Sequence, residues 1–269
     1  MLIQDIRYAL RSFRRAPGFT VVALVTLALG IGGTTAIFSI VDGVLLRPLP
    51  YSDPGRILRV SRVAASGGTD SISAADYRDL KKDANTFSAL AGYRSDIVDM
   101  TGRGEAVRIF GLQTTAAFFD VFDAAPILGR TFHEATDKPG AAVAVISETI
   151  WKQQFGSNPA VIGTSVRLNG TPTQIIGVVP EYLRHPQKSD VWMLAPSDIP
   201  SSPFGIADSE GSRDVHYFNV VGRVAHDHSV IQGQQQLRAI GDQIARTHQS
   251  NTGSTLKGEV LKAYGAIQS

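Results

Sequence analysis

The chain has 269 residues, 43% hydrophobic and 19% charged, with 26 Lys+Arg against 24 Asp+Glu and no cysteine. That balance is too apolar for a disordered protein and allows one or two folded units. The net charge of +2 is mild, and much of the excess sits ahead of the first apolar run, so no nucleic-acid-binding surface is implied. Lack of cysteine excludes disulfides, Cys-ligated zinc and thiol nucleophiles, but it does not exclude export.

At the start, Leu2, Ile3, Ile6, Leu10 and Phe13 recur at helical spacing, with Arg7, Arg11, Arg14 and Arg15 mostly on other faces. Residues 1–18 are therefore expected to form a basic amphipathic helix on the cytoplasmic membrane surface, touching lipid through those arginines. Pro17 and Gly18 are expected to bend the chain into a membrane span over 19–46. Phe19 to Leu46 holds one ionisable residue, Asp42, and as a helix it would be about 42 Å long, more than the roughly 30 Å hydrocarbon core. The surplus implies tilt or ends in the headgroup layer, with Asp42 and Arg47 at the interface.

A signal peptide is the rival reading, because Phe19 to Leu29 has the length of an h-region and Gly30-Ile31-Gly32 offers small residues for cleavage. Apolar sequence nevertheless continues through Ile37, Phe38, Ile40, Val41, Val44, Leu45 and Leu46, which favours an uncleaved anchor. Arg47, Arg56, Arg59 and Arg62 follow the span and nearly balance the arginines before it. Long domains translocate largely regardless of charge, whereas a short Arg-rich tail tends to stay inside. The orientation read is N-terminus cytoplasmic and bulk outside, single-pass. Ala28, Gly32 and Ala36 form a small-xxx-small line on which another helix can approach closely. The competing reading is that small residues are simply common in membrane helices. Gly30, Gly32 and Gly33 lie inside the span and so cannot serve as part of a dinucleotide fingerprint.

Residues 47–55, with Pro48 and Pro50, read as a linker, and 56–269 as an ordinary folded domain of mixed α+β class. Strands are expected over 57–63, 87–93, 106–113, 143–146, 191–194, 217–224 and 256–264. Ser73, with Asp76 three residues on, opens a helix to about Lys82, and Asp76, Asp79 and Asp83 on it read as a solvated face. Thr115 is expected to cap a short helix carrying core residues Phe118, Phe119 and Phe122. Ser147 caps a second helix ended by Gly156, and an amphipathic helix runs from Val230 to about His248. Asn169-Gly170, between 166–168 and 173–179, is a hairpin turn, a sufficient account of a stretch that also matches a glycosylation pattern.

No chemistry assembles. There is no G-x-x-x-x-G-K-[ST], H-E-x-x-H or G-x-S-x-G. His226-Asp227-His228 and the group His133, Glu134 and Asp137 read as loops rather than metal sites. The expectation is a non-catalytic chain without cofactor or metal.

Several stretches in order resemble the MacB/FtsX-type ABC transporter permeases, including the duplicated permeases of Acidobacteria. They are Asp5-Ile6-Arg7-Tyr8-Ala9-Leu10-Arg11, Leu27-Ala28-Leu29-Gly30-Ile31-Gly32 with Thr35-Ala36-Ile37-Phe38-Ser39, and Leu45-Leu46-Arg47-Pro48-Leu49-Pro50-Tyr51. Leu128-Gly129-Arg130-Thr131-Phe132, Ile146-Ser147, Trp151 with Phe155-Gly156, and Gly177-Val178-Val179-Pro180 continue the set. Gly33-Thr34 stands where this family often has Ala-Asn. The resemblance implies a MacB-like periplasmic core domain of two subdomains, one porter-like and one smaller and β-rich, on the first membrane helix of a bacterial inner-membrane permease. It further implies an ABC ATPase subunit as partner, a second permease chain or homodimer, membrane lipid, and no nucleic acid. Such permeases continue into further membrane helices, so this chain reads as a fragment, a truncated frame or a single-span derivative. The alternative function is a membrane-anchored periplasmic binding or sensing module without transport activity; a cleaved, secreted hydrolase is a weaker third.

Overall fold

The computed structural model describes residues 17–41, 52–102, 105–184, 188–205, 210–248 and 253–261. The chain divides into two compact units, Met1–Pro48 and Leu49–Ser269. The expected surface helix with Arg7, Arg11, Arg14 and Arg15 lies outside the described residues, as does most of the linker.

In the first unit a single helix, α1 (Pro17–Val41), is described. Its 25 residues span about 37 Å, enough to cross a bilayer core. Pro17 and Gly18 are already helical instead of bending the chain ahead of it, since a proline that opens a helix gives up no internal hydrogen bond. Thr26 and Thr34 donate their hydroxyls to the carbonyls of Val22 and Gly30, both at 2.8 Å, which hides the two polar groups against the helix's own backbone.

The second unit runs in the order β1 (Ile57–Val63), β2 (Thr69–Asp70), β3 (Ile72–Ser73), α2 (Ala74–Asp83), β4 (Phe87–Thr101), β5 (Val107–Thr114), α3 (Phe118–Phe122), β6 (Leu128–Gly129) and β7 (Val143–Ser147). It continues with α4 (Glu148–Phe155), β8 (Ser165–Leu168), β9 (Thr171–Val179), β10 (Val191–Leu194), β11 (His216–Val224), α5 (Val230–Thr247) and β12 (Thr255–Val260). Two arrangements emerge from these elements.

The first takes the chain's two ends. β1–α2–β4 and β11–α5–β12 are two strand–helix–strand passes whose strands interleave as β12-β1-β11-β4, every neighbouring pair antiparallel. This is the split β-α-β-β-α-β pattern. Its helices form because their apolar residues fall on one side: Leu237, Ile240 and Ile244 of α5 and Tyr77 and Leu80 of α2 bury against Leu58, Val60, Phe218 and Val220. Both helices are capped as expected. Ser73 accepts from the Asp76 N–H, and Ser229 and Gln232 form a reciprocal capping box.

The second arrangement is inserted between β4 and β11. β4 continues past its partner β11 and pairs with β5, and the pairing then runs β5–β10–β7–β9–β8 and back to β4. Six strands thus close on themselves. Each sends side chains into one apolar cluster, among them Val98, Ile109, Val191, Ile146, Ile175 and Leu168. The hairpin turn at Asn169 (φ 48°) and Gly170 (φ 81°) completes the closure, because the Asn169 side chain accepts from the Asp99 N–H and its own N–H donates to the Asp99 carbonyl. β6 docks on β9 where Gly177 lets the backbone approach; a Cβ there would lie 2.0 Å from the Arg130 carbonyl oxygen.

α3 lies on the other side of the shared strands. Phe118 meets Tyr93 of β4 at a ring separation of 5.7 Å, Phe119 meets Trp192 of β10 at 5.8 Å and Phe132 at 5.6 Å, and Phe122 packs on Phe118 at 5.0 Å. The expected pair of subdomains therefore takes the form of two strand systems sharing β4 within one compact unit.

Four expectations are corrected. The strand expected to stop at Tyr93 extends to Thr101, because Arg94, Ser95, Asp96 and Asp99 are polar only on its outer side or in paired form. Thr115 does not cap α3: the flanking residue is Ala117, and the Thr115 hydroxyl accepts from the Gly92 N–H instead. The last strand ends at Val260, and Tyr264 lies outside the described residues. Asp76 is not solvated. It is 2% exposed and held by Arg213 at 2.6 Å, which also reaches Asp79 at 2.7 Å.

Arg213→Ala would take the guanidinium away from the buried Asp76 carboxylate. It should destabilise the chain by about 3–5 kcal/mol, whereas Lys257→Ala on exposed β12 should cost under about 1 kcal/mol; urea denaturation of the two variants checks the contrast.

Candidate functional site

The residues expected to form a helix-packing line fall within α1. Ala28, Gly32 and Ala36 are successive i, i+4 positions of α1, and all are exposed. A Cβ added to Gly32 meets nothing within 4 Å. Around them the helix displays Phe19 and Leu29, each 71% exposed, with no residue of the Pro17–Ala36 stretch buried. A sleeve of exposed Phe, Val and Leu of span length fits a hydrocarbon environment and not water.

A second constellation holds the place where the chain enters the domain. Asp53, in the left-handed region at φ 43°, sets up the short turn Pro54–Arg56 that leads into β1. The Arg56 guanidinium donates to the carbonyls of Ala225 (2.8 Å), His228 (2.9 Å) and His226 (3.4 Å), all in the turn between β11 and α5. From the opposite direction Arg223, on the central strand β11 and 7% exposed, donates through Nε to the Val121 carbonyl at 2.7 Å and through Nη2 to the Ser52 carbonyl at 2.8 Å. Val121 O belongs to the last turn of α3, whose carbonyls lack helical partners. No carboxylate among the described residues lies within ion-pair distance of Arg223, and burial pulls its pKa down, partly offset by Asp123 and Asp53. Beside this segment β12 runs antiparallel to β1, and the Leu261 N–H donates to the Ile57 carbonyl at 2.9 Å.

Several of the described polar groups singled out in the sequence are engaged. His226-Asp227-His228 supplies backbone carbonyls to Arg56, and Asp227 lies 3.7 Å from His228 Nε2. Among the described residues no group of three or more His, Cys, Asp and Glu could hold a metal. His133 Nδ1 meets Asp120 at 2.5 Å, and Glu134 pairs with Lys81. Asp137 is gripped by Arg130 at 2.8 Å and by the His133 N–H at 3.0 Å. Burial would raise the Asp137 pKa, but those bonds outweigh it and hold the group below the ordinary carboxylate range. Glu134 and Asp137, expected to be simply solvated, instead line part of a cleft of about 160 Å³ together with Thr114–Ala117, Leu194, Ala195, Ser197 and Asp198. Ser147 caps α4 and donates to Asp190 at 3.2 Å; Asp190, whose pKa burial raises, is paired with Arg184 at 2.9 Å. Among the described residues no imidazole hydrogen-bonds this serine or carboxylate.

Sequence reasoning missed Arg223, Arg213 and Arg56. A signal existed for the first: Val220-Val221-Gly222-Arg223-Val224 sets one arginine inside an apolar strand, where an unpaired charge demands specific acceptors.

The profile of the MacB-like periplasmic core domain family matches residues 20–240. No curated protein matches this sequence. Similar solved structures include a domain of a permease protein from Porphyromonas gingivalis, at 13% identity and TM-score 0.58 over 79% of this chain and 94% of that one. Another is the extracellular domain of the noncanonic ABC-type transporter YknZ from Gram-positive bacteria, at 16% identity and TM-score 0.52 over 74% of this chain and 98% of that one. A third is the periplasmic region of MacB from Actinobacillus actinomycetemcomitans, at 14% identity and TM-score 0.55 over 79% and 91%. At these identities the likeness is one of fold. With its span-length apolar helix ahead of a split β-α-β sheet and an inserted strand ring, the chain belongs to the MacB-like periplasmic core domain family.

Proposed function

We propose that this chain is the N-terminal part of an ABC transporter permease subunit that conveys ATPase-driven motion to its extracytoplasmic domain, for export or extraction of a substrate. The observation that carries the reading is the join between anchor and domain. A family domain of ABC-type permeases follows an unburied span-length helix, and Ser52, the first described residue of that domain, is fastened to the central strand. Motion of the helix along or across the membrane would arrive at that point through the covalent chain. In this reading the N-terminus with Arg7, Arg11, Arg14 and Arg15 lies on the cytoplasmic lipid surface of the bacterial inner membrane, and the domain lies outside. ATP is hydrolysed by a partner subunit, since the chain carries no phosphate loop. The Ala28, Gly32 and Ala36 line receives a helix of a second permease chain or of a second copy.

One observation favours the alternative of a tethered binding or sensing module. An open concavity of about 580 Å³, lined by Glu148, Pro180, Glu181, Tyr182, Arg184 and Lys188, sits at the carboxyl ends of the parallel strands β7 and β9, a placement common for small-ligand sites.

Three measurements test the proposal. Extraction of native membranes in mild detergent should recover the chain with an ABC ATPase subunit; a lone monomer without ATPase leaves only the binding-module reading. Cysteines introduced at exposed domain positions such as Lys257 and Arg108 should react with a membrane-impermeant maleimide in intact spheroplasts, and labelling only after lysis would reverse the orientation. Gly32→Leu should weaken association of the helix in membranes by about tenfold, whereas Leu29→Ile should change it little; equal association of both variants would remove the packing line.

A further inference from the structure

We infer that Arg223 is the positioning residue through which a displacement of the incoming chain at Ser52 reaches α3 and the aromatic core, an inference that rests on reading the domain as a transmitter of motion.

The argument starts from what the position could have held. Arg223 is on a central strand, in register with Ile57 of β1 and Ala89 of β4, and flanked by residues with no exposure such as Val221 and Val224. A leucine or methionine would fill such a site without the desolvation that a guanidinium suffers. A buried cation with two neutral carbonyls as acceptors is therefore a poor choice for stability alone. What the guanidinium provides is a planar fork whose nitrogens point in fixed, different directions. Here Nε reaches the end of α3 and Nη2 reaches the incoming chain, so one rigid group bridges two segments about seventy residues apart in sequence.

Both acceptors are main-chain oxygens, so the link acts on backbone and not on mobile side-chain tips. Beyond it lies a contiguous set of rings. Phe118 meets Tyr93 of β4 at 5.7 Å, Phe119 meets Trp192 of β10 at 5.8 Å, and Phe119 meets Phe132 at 5.6 Å. Close-packed aromatic layers move together instead of deforming. A pull at Ser52 thus acts on β4 and β10, two strands of the closed ring, without passing through the α2 and α5 layer.

Arg56 provides the internal control. It fastens the same incoming segment, but to the β11–α5 turn, and makes no bond to α3. The structure thus carries two anchors on one segment, of which only Arg223 leads onward.

Hydrogen–deuterium exchange on the full chain in nanodiscs tests the link through a two-residue cycle. The readout is the amides of 118–124, where Val121 N–H bonds Ala117 O and Ala124 N–H bonds Phe119 O. Arg56→Met loosens the incoming segment and should speed exchange at 118–124 by about threefold while Arg223 is present. In the Arg223→Met background the same Arg56→Met change should add nothing there. Amides of β9 serve as the stability control and should keep their rates in all four chains. The inference is overturned if Arg56→Met leaves 118–124 at wild-type rates, or speeds them by the same factor in both backgrounds. If Arg223→Met fails to fold, Arg223→Lys replaces it, and the Arg56→Met effect should then fall below its wild-type size; an undiminished effect overturns the link. No ATPase is needed, so the two readings fail separately. Coupling found in a chain that recovers no ATPase retires the transporter role alone, and ATPase recovery without coupling retires the link alone.

Discussion

A β-strand buried on both sides must have every lateral hydrogen bond met by neighbours and both faces shielded from water. β11 is such a strand here. It lies between β1 and β4, with β3 along its first residues, and Phe218, Val220, Val221 and Val224 have no exposure. Phe218, Val220 and Val224 face the layer made by α2 and α5, and Val221 faces α3 and its phenylalanines. Helices on both sides follow from that requirement. The one polar breach in this strand's buried half is Arg223, and it is filled by carbonyls that would otherwise lack donors. The chemistry of that breach ties the start of the domain to its aromatic layer.

The sharing of β4 has a comparable role. Its first half closes the split β-α-β sheet, and its second half opens the ring of six strands. A strand resists stretching along its axis far more than a loop does, so the two strand systems exchange displacement through continuous backbone.

Much of this was legible from residues alone. Ser73, Ser147 and Asn169-Gly170 announced their caps and turn because the signal in each case is local: a hydroxyl three residues before an N–H, or a dipeptide that tolerates positive φ. The apolar run from Phe19 was equally plain. What failed was whatever depends on a partner distant in sequence. Asp76 looked solvated because its neighbours are charged, yet Arg213 neutralises it from far along the chain. β4 seemed to stop at Tyr93 because the outer face of a ring strand is polar, and closure of the ring through β8 has no sequence signature. Arg223 stood out only as an oddity, since its acceptors are backbone oxygens that carry no residue identity. The likeness of ordered short motifs, by contrast, reached the family directly, because it draws on the whole set at once.

The side-by-side placement of β1 and β12 sets how the domain yields to load. Their antiparallel pairing brings Ile57 and Leu261 to the same end of the ladder. A force that draws those two points apart falls on one rung at a time and peels the pair open like a zip, the soft direction for any ladder of weak bonds. A force that carries both points together leaves every rung unstressed and translates the sheet as a body. The same protein is therefore compliant to separation of Ile57 from Leu261 and stiff to their common travel, a distinction fixed by strand direction alone.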